Sequence, residues 1–412
     1  MTVPTINAVI NFSTGPAFAQ AMIIGTGVLG TNVLAGGSAL IVDVSNQVDS
    51  VTTTRGRNAQ ADIFQTGSLT LRIVDQNGDF NPQNENGPYY GLLTPLRKVQ
   101  ITATYEGTTY PMFSGFITSY TTTTPRMATD VVYTTITAVD GFRLFQNSQI
   151  STVTLAEPGD LPGERVNAIL DEIAWPQSMR EIQYGSTIFQ ADPGNPRTAL
   201  AALQTATISE YGALYMDARG SLVLADRNFC ITSQTQTPVV FNDNGSDIGY
   251  SNAIWRLDDT LVYNSAKITR LGGTPQLVQN DDSIEEFFLH SYNQQDLVMA
   301  TDQAALDYAG AYVSSRKNTA TRCDAIELDL YTDNYNDGIL AALELDFFDP
   351  VTITTNQPGA STLTQTLQVF GVRHQVTPRN WRTTFTTLEP IIEGFIIGSS
   401  TYGVLGTSVM TY

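Results

Sequence analysis

The sequence predicts a mainly β protein with an α+β insertion: two β-barrel domains and a smaller helix-containing domain. Three observations lead there. Apolar and polar residues alternate through residues 41–150, the period of a half-buried strand. The alternation returns from Val239. Between the two stretches the apolar spacing shifts toward that of a helix packed on one side. At 412 residues the chain exceeds what one hydrophobic core usually serves, so several domains are expected from length alone.

Residues 1–40 read as an apolar, glycine-rich arm. Its GVLGTNVL segment, residues 27–34, recurs at 403–410 as GVLGTSVM inside a second arm, 391–412, and each copy follows Ile-Ile-Gly. Unpaired in water, both would be sticky. Each therefore either forms a short hairpin on its own subunit or docks on a neighbour by adding a strand to a free sheet edge.

The first barrel, 41–150, opens on a Thr-rich run. Residues 68–74 set Leu69, Leu71 and Ile73 on one face, and Asn77-Gly78 in the DQNGDFNP segment, 75–82, tolerates the positive φ of a tight reversal. A loop from Pro82 to Pro95 follows. Residues 99–105 alternate again, Glu106-Gly107 turns the chain, 109–117 return, and 131–141 close the barrel.

In the insertion, 151–232, Val166, Ile169, Leu170 and Ile173 fall at i, i+3, i+4 and i+7, a helix ending before Pro176. A second helix takes Asn195 as cap and Pro196 in its first turn, presents Leu200, Leu203 and Thr207, and stops at Gly212. The second barrel, 233–390, has later strands at 325–330, 351–355, 366–376 and 382–388. A helix from about Asp302 to Ser315, with Leu306, Ala309 and Val313 on one face, interrupts it.

Composition narrows the function. Charged residues are 15 % of the chain, against about a quarter in ordinary globular proteins; Thr, Ser, Asn and Gln carry the polar faces, as suits a large β assembly. The 21 Lys and Arg against 40 Asp and Glu give a net charge of -19, which argues against gripping nucleic-acid phosphates. Cys230 and Cys323 stand far apart with no partner motif, so neither a disulfide framework nor a zinc site is indicated, and a cytoplasmic origin is expected. No Lys or Arg precedes Arg55, which removes the basic start of a secretory signal. The uncharged run 17–42 is rejected as a membrane span because of its glycines and missing basic anchors.

No catalytic, cofactor-binding or metal residue is expected. His290 and His374 lie in no triad pattern, and both read as packed or surface histidines. Asp75, Asn77 and Asp79 have the opening spacing of a calcium loop, but Gly78 occupies the fourth place and Asn86 the twelfth, so a turn is expected instead. Asp281-Asp282 with Glu285-Glu286, and Asp329 with Asp333 and Asp337, are expected as solvated acidic loops.

The order of motifs adds a further expectation. Arg55-Gly56-Arg57 leads to the D-x-x-G-x-F-x-P turn of 75–82, then Pro88-Tyr89-Tyr90, Leu96-Arg97-Lys98-Val99-Gln100-Ile101 and Phe113-Ser114-Gly115-Phe116-Ile117. This succession resembles the tail hub (minor tail or baseplate hub) proteins of tailed bacteriophages. The likeness extends through a helix and hairpin at 196–224, a stretch at 261–270 resembling the first strand of the family's second barrel, and a closing hairpin at 371–388, so that it covers roughly 41–390.

The resemblance implies a non-enzymatic, cofactor-free structural protein of the virion, made in the host cytoplasm and placed at the distal end of the tail. It implies two barrels related by pseudo-symmetry, so that a homotrimer builds a pseudo-sixfold ring. The implied partners are a distal tail or tail tube protein, a tape measure protein and spike or fibre proteins, with no membrane insertion. Phage DNA would pass through the ring without specific binding; an acidic lining would help, since like charge keeps a polyanion from adsorbing. The helices of 163–215 are candidates for contacting a threefold partner. An alternative is a receptor- or glycan-binding adhesin at the tail tip, using Pro88-Tyr89-Tyr90 and the NDNGSD loop at 242–247. A cell-wall hydrolase is a third reading, with no segment left to house it.

Overall fold

The structure is a computed structural model, which describes residues 3–13, 15, 41–57, 63–123, 131–331, 335–359 and 361–390. Both GVLGT segments lie outside the described residues.

Seven strands come first: β1 (Thr5–Asn11), β2 (Ile41–Asp43), β3 (Val48–Gly56), β4 (Gln65–Val74), β5 (Lys98–Tyr105), β6 (Thr108–Thr123) and β7 (Tyr133–Val139). A mixed region follows, with α1 (Phe142–Asn147), β8 (Gln149–Ile150), α2 (Pro162–Glu172), β9 (Arg180–Ile182), β10 (Arg197–Thr198), α3 (Ala199–Glu210), β11 (Ala213–Met216), β12 (Leu222–Ala225) and α4 (Arg227–Thr232). The last part holds β13 (Val239–Asn242), β14 (Asn252–Arg256), β15 (Ser265–Arg270), β16 (Gln276–Gln279), α5 (Asp281–Phe287), β17 (Ser291–Leu297) and α6 (Asp302–Arg316). It ends with β18 (Arg322–Asp329), α7 (Tyr335–Glu344), β19 (Pro350–Thr355), β20 (Leu363–Thr377) and β21 (Asn380–Leu388).

The chain is mainly β. Thirteen strands make one sheet in the order β14-β18-β21-β20-β3-β4-β7-β6-β5-β1-β2, with β19 beside β20 and β13 beside β19. Every pairing in it is antiparallel except β13 with β19. β20 changes neighbour along its length: residues 363–368 pair with β19, and 371–376 pair with β3. Among the described residues the pairing runs from β14 to β2 without returning. It therefore forms one continuous sheet where two closed barrels were expected. The free edge of β3 is taken by β20 from the second half, which joins the two sets of strands. Residues 5–11, expected in an arm, are likewise part of the sheet, because Ala8 and Ile10 alternate inward opposite Ile101 and Val99 of β5.

The two halves share one strand order, β3-β4-β7-β6-β5-β1 and β14-β18-β21-β20-β19-β13, in the same chain order. The agreement reaches individual residues. Lys98 faces Phe116 where β5 begins against β6, and Pro350 faces Gln368 where β19 begins against β20. Just outside those pairs, Leu96 N donates to Ile117 O (2.7 Å) and Phe348 N to Val369 O (2.8 Å). Leu96 and Phe348 both take left-handed backbone, φ 64° and 72°. A bulge follows at the same place, between Ile117 and Ser119 in one half and Val369 and Gly371 in the other. The halves differ at the far edge, where β1 is antiparallel to β5 but β13 is parallel to β19.

Outside the large sheet are three small ones, β8 with β10, β9 with β12 and β11, and β16-β15-β17. Residues 261–270, expected to open the second barrel, instead supply β15 of the last of these; the counterpart of β3 is β14. Ala266 and Ile268 of β15 are buried. The buried face of α6 is Ala305, Tyr308, Ala309, Tyr312 and Val313, without Leu306, because Tyr312 stacks on Tyr292 of β17 at 3.8 Å. The second predicted helix starts later than expected: residues 197–198 pair with β8, and Thr198 then caps α3 by accepting from Ala201 N. No described helix is long and apolar enough to cross a membrane.

Candidate functional site: the strand junction and its polar face

The Arg-Gly-Arg step at the end of β3 is where the two halves meet. Gly56 has φ 115°, and a Cβ there would stand 2.2 Å from Phe370 O and 2.5 Å from Gly371 Cα, so only glycine lets β3 and β20 approach. Arg57 N donates to Phe370 O at 2.9 Å, and the Arg57 guanidinium lies 4.5 Å over the Phe370 ring. Arg55 reaches the other way. It donates to Met112 O of β6 and to the Asp346 carboxylate, each at 3.1 Å, and covers the Phe347 ring at 5.0 Å. The two arginines thus clamp β3 between β6, β20 and the segment before β19.

Beneath the junction an aromatic cluster draws all three parts of the chain together. Phe64 lies 4.9 Å from Phe347 and 5.2 Å from Tyr215; Phe348 lies 5.1 Å from Phe370 and 5.6 Å from Phe229. Pairs of this kind contribute about 0.5–1.5 kcal/mol each beyond burial of area. His374, on β20 opposite Thr53, is buried with Nδ1 2.9 Å from Thr383 Oγ1. Burial, then the Arg55 charge, push its pKa down to about 3, so it is a neutral packing residue. Asp140 is also buried at the start of α1, accepting from Gly67 N (2.5 Å) and Phe142 N (3.0 Å). Burial raises its pKa to about 7, against those hydrogen bonds and Arg55. The Asp140-Gly141 step, between the alternation of β7 and α1, is the sequence signal for this helix start.

The sheet carries one polar row straight through the junction. Asp329 faces Arg382, Arg382 faces Gln375, Gln375 faces Thr52, Thr52 faces Thr70, Thr70 faces Thr137, and Thr137 faces Ser119. Hydroxyls join within it, Ser119 to Thr137 at 2.7 Å. The row is hydroxyl-rich across β3, β4, β7 and β6, with Asp329 and Arg382 at its β18 end.

The residues weighed for chemistry are scattered and internally engaged. The Asp75 carboxylate accepts from Asp79 N (2.7 Å), Phe80 N (3.1 Å) and Thr134 Oγ1 (2.8 Å), which makes the DQNGDFNP segment a self-bonded turn. Asp281 and Asp282 sit in the first turn of α5, favourable to its dipole, with Glu285 and Glu286 exposed beyond them. Asp329 ends β18 and Asp337 opens α7, while Asp333 lies outside the described residues. His290 Nε2 stands 3.8 Å from Asp259. Cys230 and Cys323 are free and buried, and burial raises both thiols, Cys323 to about 11. Among the described residues no three His, Cys, Asp or Glu gather as metal ligands. Tyr89 packs on Phe12 and Phe80 at 5.5 and 5.0 Å, leaving Tyr90 exposed. In the 242–247 loop, Asn242 Oδ1 accepts from Asn244 N and Gly245 N, both at 3.2 Å, and Asp243 accepts from Asn356 N at 2.8 Å.

No protein-family model matches the chain, and no curated protein does. Solved structures share its fold. One is a tail protein from Neisseria meningitidis MC58, with TM-score 0.59 and 11 % identity, covering 94 % of this chain and 97 % of that one. Another is the 43 kDa tail protein of prophage MuSo2 from Shewanella oneidensis, with TM-score 0.51 and 13 % identity, covering 86 % of this chain and 96 % of that one. At such identity what is shared is the fold, over most of both chains.

Proposed function

We propose that this chain is a structural tail-tip hub of a tailed bacteriophage. Three copies form a pseudo-sixfold ring that joins the tail tube or distal tail protein to the tape measure and the spike or fibre proteins, and lets DNA pass. The observation that carries this reading is the repeated six-strand order, with matching left-handed residues and bulges, joined inside one chain by β3 and β20. A threefold ring of a two-repeat chain offers six near-equivalent units to a sixfold tube. The likeness to tail proteins supports the same reading.

In this account β1 together with residues 41–150 forms one ring unit and residues 233–390 the other. Residues 151–232 offer the helices of 163–215 to a threefold partner. Apart from β1, which belongs to the sheet, each arm either forms a hairpin on its own subunit or docks on a neighbour by strand addition. A net charge of -19 and a hydroxyl-rich sheet face suit a passage to which DNA does not adhere. No catalytic role is assigned: His374 is buried and neutral, and the acidic groups hold turns and helix starts. An adhesin role would draw on loops whose polar groups are already bonded within the chain. Native mass measurement of the purified chain with its tube partner is expected to give a trimer; a chain that stays monomeric beside that partner contradicts the reading.

A further inference from the structure

Resting on that ring reading, we propose that β14 and the outer half of β6 are the two sides of one seam between copies of this chain. Asn252–Arg256 of one copy adds antiparallel to residues 119–123 of the next.

The repeat supplies the reason. β3 corresponds to β14 and β20 to β6, and inside the chain β3 of one half pairs with the outer half of β20 from the other. The twin of that pairing, β14 with the outer half of β6, is not made within the chain. Among the described residues β14 pairs only with β18, and beyond Ile117 β6 pairs only with β7. Among the described residues, two sheet edges of the kind already joined once are therefore open, and open edges recruit strands.

Burial and hydrogen bonding agree. Val51 and Thr53, inside the closed junction, are 0 % and 1 % exposed, whereas their counterparts Ala253 and Trp255 are only half-buried and Ile254 between them is 46 % exposed. On the other strand Val372 and His374 are buried while their counterparts Tyr120 and Thr122 are half-buried. Tyr120 Oη and Trp255 Nε1, one on each open edge, are shielded from water yet have no hydrogen-bond partner.

The closed junction also sets the register of the open one. Thr52 and Ile254 are equivalent because they face Thr70 and Ala325, which face Thr137 and Thr386. Ser119 and Gly371 are the first paired residues after each bulge. The observed pairs Thr52 with Gln375 and Thr53 with His374 then become Ile254 with Thr123, and Trp255 with Thr122, across copies. The two edges are unlike, so the contact runs head to tail, and the threefold rotation of the proposed ring is what closes it.

The test places Ile254→Cys and Thr123→Cys in one full-length chain and oxidises it mildly at high concentration beside the tube partner. Native Cys230 and Cys323 are buried and out of reach. A disulfide-linked closed trimer is expected, absent from either single variant and from a control pairing Ile254→Cys with Glu106→Cys in the turn before β6. Independently, Ile254→Asp with Thr123→Asp should weaken assembly at least about tenfold with melting unchanged, and Ile254→Lys with Thr123→Asp should restore it. A ring that forms while the cysteine pair stays unlinked, or links no better than the control, overturns the seam and leaves the ring. A chain monomeric under every condition overturns the ring reading, and the seam with it.

Discussion

Gly56 meets Phe370 and Gly371 so closely that any side chain must push β3 from β20. Gly56→Ala combines a strained positive φ with a backbone clash, and should cost at least about 3 kcal/mol of stability by denaturant titration. His374 gives a pH signature. Its folded pKa, about 3, lies below the ordinary 6.5, so the unfolded chain binds a proton in that interval that the folded chain does not. Stability is thus lost as pH falls from about 6.5 toward 3, by up to about 1.4 kcal/mol per pH unit. Melts across that range should show the acid limb, and His374→Gln should flatten it. Asp140 runs oppositely: its pKa is raised to about 7, so its contribution is full at low pH and lost as pH rises from about 4 to 7. Carboxyl NMR should find its midpoint near 7, above that of Asp349, which burial raises to about 6. The sequence marked Arg55-Gly56-Arg57 as a motif, but the reason for it lies in Phe370, more than 300 positions away, which no local pattern reports.

At the scale of elements, the repeated lead-in to β6 and β20 makes one backbone conformation carry opposite consequences. Leu96 is 47 % exposed and Phe348 is 1 % exposed, with nearly the same φ. Leu96→Gly should be neutral or stabilising by up to about 1 kcal/mol, whereas Phe348→Gly should cost about 3–5 kcal/mol by emptying the aromatic cluster; paired denaturation curves decide both. Thr198→Ala should cost about 1 kcal/mol through loss of the α3 cap. Strands β4 to β7 and β18 to β21 were legible because one face of each is buried and the alternation survives. β15 was misplaced because a short alternating run does not say which sheet receives it. The Asn195 cap was displaced because pairing with β8 takes residues 197–198 before the helix begins.

For the whole molecule, mainly β architecture and its doubling could be read from two alternating stretches separated by a helical one. Closure could not: whether strands return on themselves or run on into the other half depends on which edge captures β20, a long-range choice. That choice has a functional consequence, because a chain that continues its sheet from half to half can continue it from copy to copy. The most direct measurement is a cryo-electron microscopy reconstruction of the chain bound to its tube partner. The account predicts three subunits whose six strand sets lie at about sixty-degree steps around one lumen. A single copy at the tip, or a ring whose two halves per subunit are not interchangeable under that rotation, would contradict it.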